Sequence, residues 1–172
     1  MIIVFKLTSL NQLKRDYFDR TRGRVVVATP EEQVRQSLLF QMESEKGYPR
    51  AMMVVEREIS KLPHLTPHHT TPTRRIDLLI YAKEGTSLKP LLLVECKQEA
   101  IERGSCSAAF QQLQSYNHYV AAPFVALAGS NGFFLCLYDK SDKKYHISQR
   151  LPTYSELLEW VKTADHFPEN SF

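Results

Sequence analysis

The stretch Leu91-Leu92-Leu93-Val94-Glu95-Cys96-Lys97 constrains this chain more than any other. Four consecutive apolar residues cannot alternate between core and solvent. A run of that kind, ended by charge, predicts a central strand buried on both faces. Such a strand needs neighbours in the sheet and helices covering it.

The rest of the sequence supplies them. Residues 76–82 and 52–59 read as strands before the central one, with a turn at Gly85. Residues 124–128 and 133–138 read as strands after it, joined by the turn Gly129-Ser-Asn-Gly132. Thr29-Pro30-Glu31-Glu32 reads as a capping box that opens a helix over 30–46, stopped by Gly47 and Pro49. Phe110, Leu113, Asn117 and Val120 fall on one stripe of a helix over 105–120. A last helix over 154–163 uses Thr153 as its cap. Residues 19–27 read as a hairpin or extended lead-in. Residues 61–73, rich in Pro and Thr, read as an exposed irregular loop, and residues 140–144 as a charged turn. The order helix, three strands, helix, two strands, helix predicts an α/β fold, with a mixed central β-sheet flanked by helices.

With 172 residues and 43% hydrophobic content, the chain can bury one sizeable core. We divide it into a lead-in (1–28) packed on the core, the core itself (29–139) and a C-terminal helical extension (140–172), a single domain overall. The net charge of +3 permits a nucleic-acid partner without arguing for one. Cys96, Cys106 and Cys136 form no C-x-x-C pair, so reduced thiols are expected, with Cys96 and Cys136 inert in the core. The short N-terminal apolar run has neither the flanks of a signal peptide nor the length of a membrane span. A cytoplasmic protein is the expectation.

Asp77 opens one apolar strand, and Glu95 and Lys97 interrupt the end of the next. Strand period places Glu95 and Lys97 on one side and Cys96 on the other. If the strands are neighbours, the three charges converge. Two carboxylates and an ammonium suit a hard cation such as Mg²⁺ that shares phosphate oxygens with a substrate. A buried ion pair with no catalytic role is the competing explanation, and such pairs contribute little net stability.

At these residues the sequence resembles the D…(D/E)-x-K core of PD-(D/E)XK nucleases. The wider pattern resembles the N-terminal endonuclease domain of the type I restriction enzyme R subunit. The matching pieces are Thr29-Pro-Glu-Glu-Gln-Val-Arg-Gln36, Gly47-Tyr48-Pro49, Val55-Glu56, Arg75-Ile-Asp77, Leu91-Leu-Leu-Val-Glu-Cys-Lys97 and Gln112-x-x-x-Tyr116. The resemblance implies a restriction-endonuclease-like core, with Asp77 and Glu95 as metal ligands, the Cys96 carbonyl as a backbone ligand and Lys97 as the catalytic lysine. It implies Mg²⁺ as cofactor, with Mn²⁺ able to substitute. Gln112 and Tyr116 would contact DNA or support the site. Glu56 and Glu32 are candidates for further metal contacts, although Glu32 has a competing task in the capping box. Ile76 stands where the family's proline is usual. The chain carries no P-loop, helicase motor or methyltransferase, so motor or specificity functions would come from separately encoded partners.

Arg75 is expected at the mouth of a cleft holding Asp77, and Arg15, Arg20, Arg22, Arg24 and Arg74 either touch phosphate or form a wet surface. His64, His68 and His69 match no closed zinc set and read as a solvated loop. The leading expectation is a metal-dependent DNA endonuclease or DNA-processing nuclease. The alternatives are a non-cleaving DNA-binding module and an adaptor subunit that retains the fold.

Overall fold

In the computed structural model, which describes residues 16–65, 73–101, 103–139 and 144–163, the strands are β1 (Asp16–Asp19), β2 (Arg24–Val27), β3 (Met53–Glu58), β4 (Arg75–Glu84), β5 (Ser87–Cys96), β6 (Phe124–Gly129), β7 (Gly132–Asp139) and β8 (Lys144–Ser148). The helices are α1 (Pro30–Glu45), α2 (Arg103–Val120) and α3 (Tyr154–Thr163). Strands β3 to β8 form one mixed sheet in sequence order, and β1 and β2 form a separate hairpin. The apolar run lies on β5, antiparallel to β4 and parallel to β6, with Leu91 to Cys96 all buried.

Period-two alternation sorts the sheet's side chains into two layers. Leu78, Val94, Cys96, Ala126 and Leu135 pack under Leu38, Leu39 and Met42 of α1 and Leu157 of α3. Leu79, Leu93, Leu127 and Phe134 pack under Phe110, Leu113, Tyr116 and Val120 of α2. Each fully buried leucine contributes about 1.5–3 kcal/mol, so the sandwich of α1 and α3, sheet, and α2 follows from burial.

Four local features differ from the sequence reading. β5 begins at Ser87 rather than at Leu91, because a register shift lets Ile80 face Leu92 while Tyr81 faces Pro90. Leu91 is the extra residue of that bulge, beside Pro90, which has no N–H to give the ladder. β8 was not foreseen: its sequence is short and polar, and residues 140–143 before it lie outside the described residues. The capping box of α1 is half-formed. Thr29 Oγ1 accepts from the Glu32 N–H at 3.1 Å, but the Thr29 N–H donates to the Val27 carbonyl and not to Glu32. Finally, the stretch after β3 is not simply solvated. The His64 ring sits 2.7 Å from the Tyr81 hydroxyl and 3.0 Å from the Val120 carbonyl. His68 and His69 lie outside the described residues.

The reciprocal box that α1 lacks is present at α3. The Thr153 N–H donates to Glu156 Oε2 at 2.7 Å, and the Glu156 N–H donates to Thr153 Oγ1 at 3.2 Å. The Thr153 N–H, with Arg150 after it, holds the Glu156 carboxyl down at about 2. A depressed carboxyl pKa contributes stability above its unfolded value and loses it as pH falls through the folded one. Glu156→Gln is therefore expected to lower Tm at neutral pH, with the gap to wild type closing between about pH 4.5 and 2. A pH-independent gap in thermal melts would contradict this. Among the described residues no helix is long and apolar enough to cross a membrane.

Candidate active site

Strand register sets the site. The β4–β5 pairing through Leu78↔Val94 brings Asp77, one residue further, opposite Glu95. On the other side of β4, the pairs Val55↔Leu78 and Arg57↔Ile76 bracket Glu56, placing it opposite Asp77. Three acidic positions thus stand in a row across β3, β4 and β5. The sheet is distorted here. Glu56 has a φ of 47°, in the left-handed region that a non-glycine residue occupies at a cost of about 1–2 kcal/mol. Ile76 and Leu78, two residues apart, belong to opposite core layers, so alternation breaks at Asp77.

Asp77 is held from two directions. Its Oδ2 accepts the Cys96 backbone N–H at 2.6 Å, and its Oδ1 accepts Arg35 Nη2 at 2.9 Å. Burial raises its pKa, and the Glu95 charge adds to that against the Cys96 N–H and Arg35. Glu95 is held from the α2 side. Its Oε2 accepts the Tyr116 hydroxyl at 2.6 Å, and its Oε1 lies 3.0 Å from Lys97 Nζ and 3.4 Å from Arg74 Nη2. Burial pushes the Tyr116 hydroxyl well above its ordinary pKa, and its bond to Glu95 adds to this, so it remains a donor at neutral pH. Lys97 lies just past β5, and its N–H donates to the Ala128 carbonyl at 2.8 Å.

The segment after Lys97 is fixed to the β6–β7 turn. Asn131 accepts the Ile101 N–H at 2.8 Å and donates to the Ile101 carbonyl at 3.0 Å. A Cβ on Gly129 would lie 2.8 Å from both the Glu99 carbonyl oxygen and Ile101 Cγ1. Backbone cannot yield as a side-chain tip does. Gly129→Ala should cost about 1–3 kcal/mol by overpacking and shift the segment that carries Lys97. Denaturant melts check the first effect, and an unchanged midpoint would contradict it.

Arg35 is the residue the sequence reading missed. It lies in the quoted Thr29-to-Gln36 piece, yet it carried no assigned role. Its side chain is 2% exposed, pairs with Glu31 at 2.8 Å and Asp77 at 2.9 Å, bonds Glu32, and lies 3.5 Å from Glu56. Burial opposes the Arg35 charge, but Asp77 and the other carboxylates more than offset it and hold its pKa above the ordinary value. Arg22 behaves similarly. It pairs with Asp19 at 2.6 Å and also with Glu32 and Glu56, docking the β1–β2 hairpin onto α1 and β3. Gln36 donates to Asp19 and Glu32. Glu32 and Glu56 are therefore engaged by arginines, which is why Glu32 leaves its capping box open.

The remaining candidates divide. Tyr116 is buried at the site, whereas Gln112, one turn earlier, is exposed. Arg75 is exposed and pairs in register with Glu58, whose carboxyl it helps to lower after Lys61. Of this adjacent pair it is Arg74 that touches the site, at Glu95.

Among the described residues no group of three or more His, Cys, Asp and Glu side chains is placed to hold a metal ion. Asp77 and Glu95 nevertheless fit a hard divalent cation. Their donors are carboxylate oxygens, and Mg²⁺ characteristically uses one or two carboxylates, keeps waters and completes its shell with substrate phosphate.

Comparison with known proteins bears on the fold and the family. The family described as "Type I restriction enzyme R protein N terminus (HSDR_N)" matches residues 30–152. No curated protein matches the chain. A solved fragment of a putative HsdR subunit of a type I restriction enzyme from Vibrio vulnificus YJ016 superposes with a TM-score of 0.51 at 18% identity, covering 77% of this chain and 25% of that one. The chain thus spans about a quarter of that relative's length, and the likeness is one of fold. The family match takes in both strands of the acidic pair and more than half of the sequence, and on that ground the chain belongs to the family of type I restriction enzyme R protein N termini.

Proposed function

We propose that this protein hydrolyses DNA phosphodiester bonds with Mg²⁺, Mn²⁺ being able to substitute. The observation that carries the reading is the register that sets Asp77 opposite Glu95 with Lys97 Nζ 3.0 Å from the Glu95 carboxylate. Asp77, Glu95 and the Cys96 carbonyl would hold the ion, which supplies charge neutralisation at the phosphoryl oxygens and a bound water of lowered pKa. The chain's own residues do the rest. The Cys96 N–H and Arg35 fix Asp77, and the Tyr116 hydroxyl fixes Glu95. Lys97, 35% exposed, would orient the attacking water and stabilise charge on the phosphoryl group. Gln112, exposed one turn before Tyr116, and Arg75, exposed two residues before Asp77, would serve as DNA contacts. DNA is the partner in this reading, together with a motor or specificity subunit, and the cytoplasm is where it acts.

A second reading has one observation in its favour. All four oxygens of Asp77 and Glu95 already accept a protein donor. A DNA-binding module or adaptor that keeps the fold without cutting would look the same. Each carboxylate oxygen has a second lone pair, which is why the hydrolytic reading stands first. The test is incubation of plasmid and branched DNA with Mg²⁺ or Mn²⁺, comparing wild type with Lys97→Ala. Divalent-dependent cleavage by wild type, reduced about 10²–10³-fold in Lys97→Ala, supports hydrolysis. Equal rates for both proteins, or salt-sensitive binding with no cleavage, would reject it.

A further inference from the structure

We infer that Arg74 is a phosphate-binding residue of this site, acting with Lys97 on the same DNA phosphate. The inference deepens the proposed nuclease reading, and rests on it for the identity of the anion. Arg74 immediately precedes β4, three residues before Asp77. Its guanidinium carbon lies 4.4 Å from the centroid of the Tyr116 ring, a stacking distance. From there Nη2 reaches Glu95 Oε1 at 3.4 Å, the same oxygen that Lys97 Nζ meets at 3.0 Å. Two cations, one just before β4 and one just after β5, thus share one carboxylate oxygen.

The two contacts are unequal. At 3.4 Å the Arg74 bond is long for a charge-assisted pair, which is ordinarily about 2.7–2.9 Å. Arg74 is 41% exposed, against 12% for its Glu95 partner, so the guanidinium stands on the solvent side of the carboxylate. Its five donors exceed what one oxygen can use. The Tyr116 ring lies beneath it, so part of its side-chain freedom is already spent before a second anion binds. A phosphate arriving at Glu95 would meet a planar, always-charged fork on the solvent side of that carboxylate. That is the geometry in which arginine outperforms lysine. The sequence had favoured Arg75, yet Arg75 stands by Glu58 on the β3–β4 pair.

The test uses the full chain and a short double-stranded DNA oligonucleotide. Affinity is measured against salt in Ca²⁺ and in EDTA, and cleavage is measured in Mg²⁺. Loss of one phosphate contact should lower the slope of log K against log salt by about 1 in Arg74→Ala. Arg74→Lys should regain the slope but not the rate, because a point charge cannot reproduce the stacked fork. Cleavage by Arg74→Ala should fall about 10²-fold, mainly in kcat. A merely structural role would lower the rate in both variants while leaving the salt slope at its wild-type value, and that result would overturn the inference. If wild type binds but never cleaves, and the slope still drops in Arg74→Ala, the phosphate contact stands and the hydrolytic reading falls. If wild type cleaves and Arg74→Ala matches it in slope and rate, the inference falls and the hydrolytic reading stands.

Discussion

Asp77→Asn is expected to lower Mg²⁺-dependent cleavage by at least about 10³-fold while leaving the protein folded. The substitution keeps the side chain's shape and an oxygen for the Cys96 N–H. It removes the negative charge that would share a cation with Glu95. Burial and the Glu95 charge raise the Asp77 pKa in the folded protein. A carboxyl with a raised folded pKa favours the fold in its protonated form. That contribution is complete below the unfolded value and is lost as pH rises through the folded one. At pH 7 the amide is relieved of the burden of a buried charge but gives up the charge that pairs with Arg35 at 2.9 Å. Tm at pH 7 should therefore stay close to wild type as cleavage disappears. Thermal melts beside a cleavage assay check both halves. A variant that loses activity because it unfolds would contradict the account.

Arg35→Met should destabilise the protein by about 3–5 kcal/mol, the typical cost of removing one partner from a buried ionic network. In a chain of this size that corresponds to a Tm lowered by roughly 6–20 °C. The reason lies in the number of acids that converge there. Arg35 faces Glu31 and Glu32 of α1, Asp77 of β4 and, at 3.5 Å, Glu56 of β3. Removing the guanidinium leaves the 2%-exposed centre of that group without its cation, and Arg22 reaches only Glu32 and Glu56 of the four. Arg35→Lys keeps the charge but not the fork that spans several carboxylates, so an intermediate loss is expected. Chemical denaturation of the three proteins provides the measurement. A midpoint within error of wild type for Arg35→Met would mean that the network contributes nothing.

The central part of this architecture was legible because it depends on local patterning. The apolar run at Leu91–Val94 could only be a doubly covered strand, and it is the third of six in the sheet. Asp77, Glu95 and Lys97 stood out because charge at the ends of such strands is costly unless it is paired or used. What escaped the sequence was non-local. Arg35 carried no role in the sequence and Arg22 read as a phosphate contact or a wet surface residue; their burial arises only once carboxylates from several separate elements meet around them. Glu32 was assigned to a capping box by its spacing from Thr29, but Arg22, Arg35 and Gln36 claim it in three dimensions. The sequence favoured Arg75 over Arg74, and the break in alternation at Asp77 reverses that choice, turning Arg74 toward Glu95. β8 escaped for a different reason: an edge strand needs little apolar sequence, and Lys144–Ser148 supplies little.

Whether two carboxylates on adjoining strands share one hard cation is best decided by anomalous diffraction from crystals soaked in Mn²⁺. The account predicts a single peak lying between Asp77 and Glu95, about 2.0–2.2 Å from an oxygen of each, with the Cys96 carbonyl in reach and the peak lost in Asp77→Asn. No peak at millimolar Mn²⁺, or a peak that touches neither carboxylate, would contradict it.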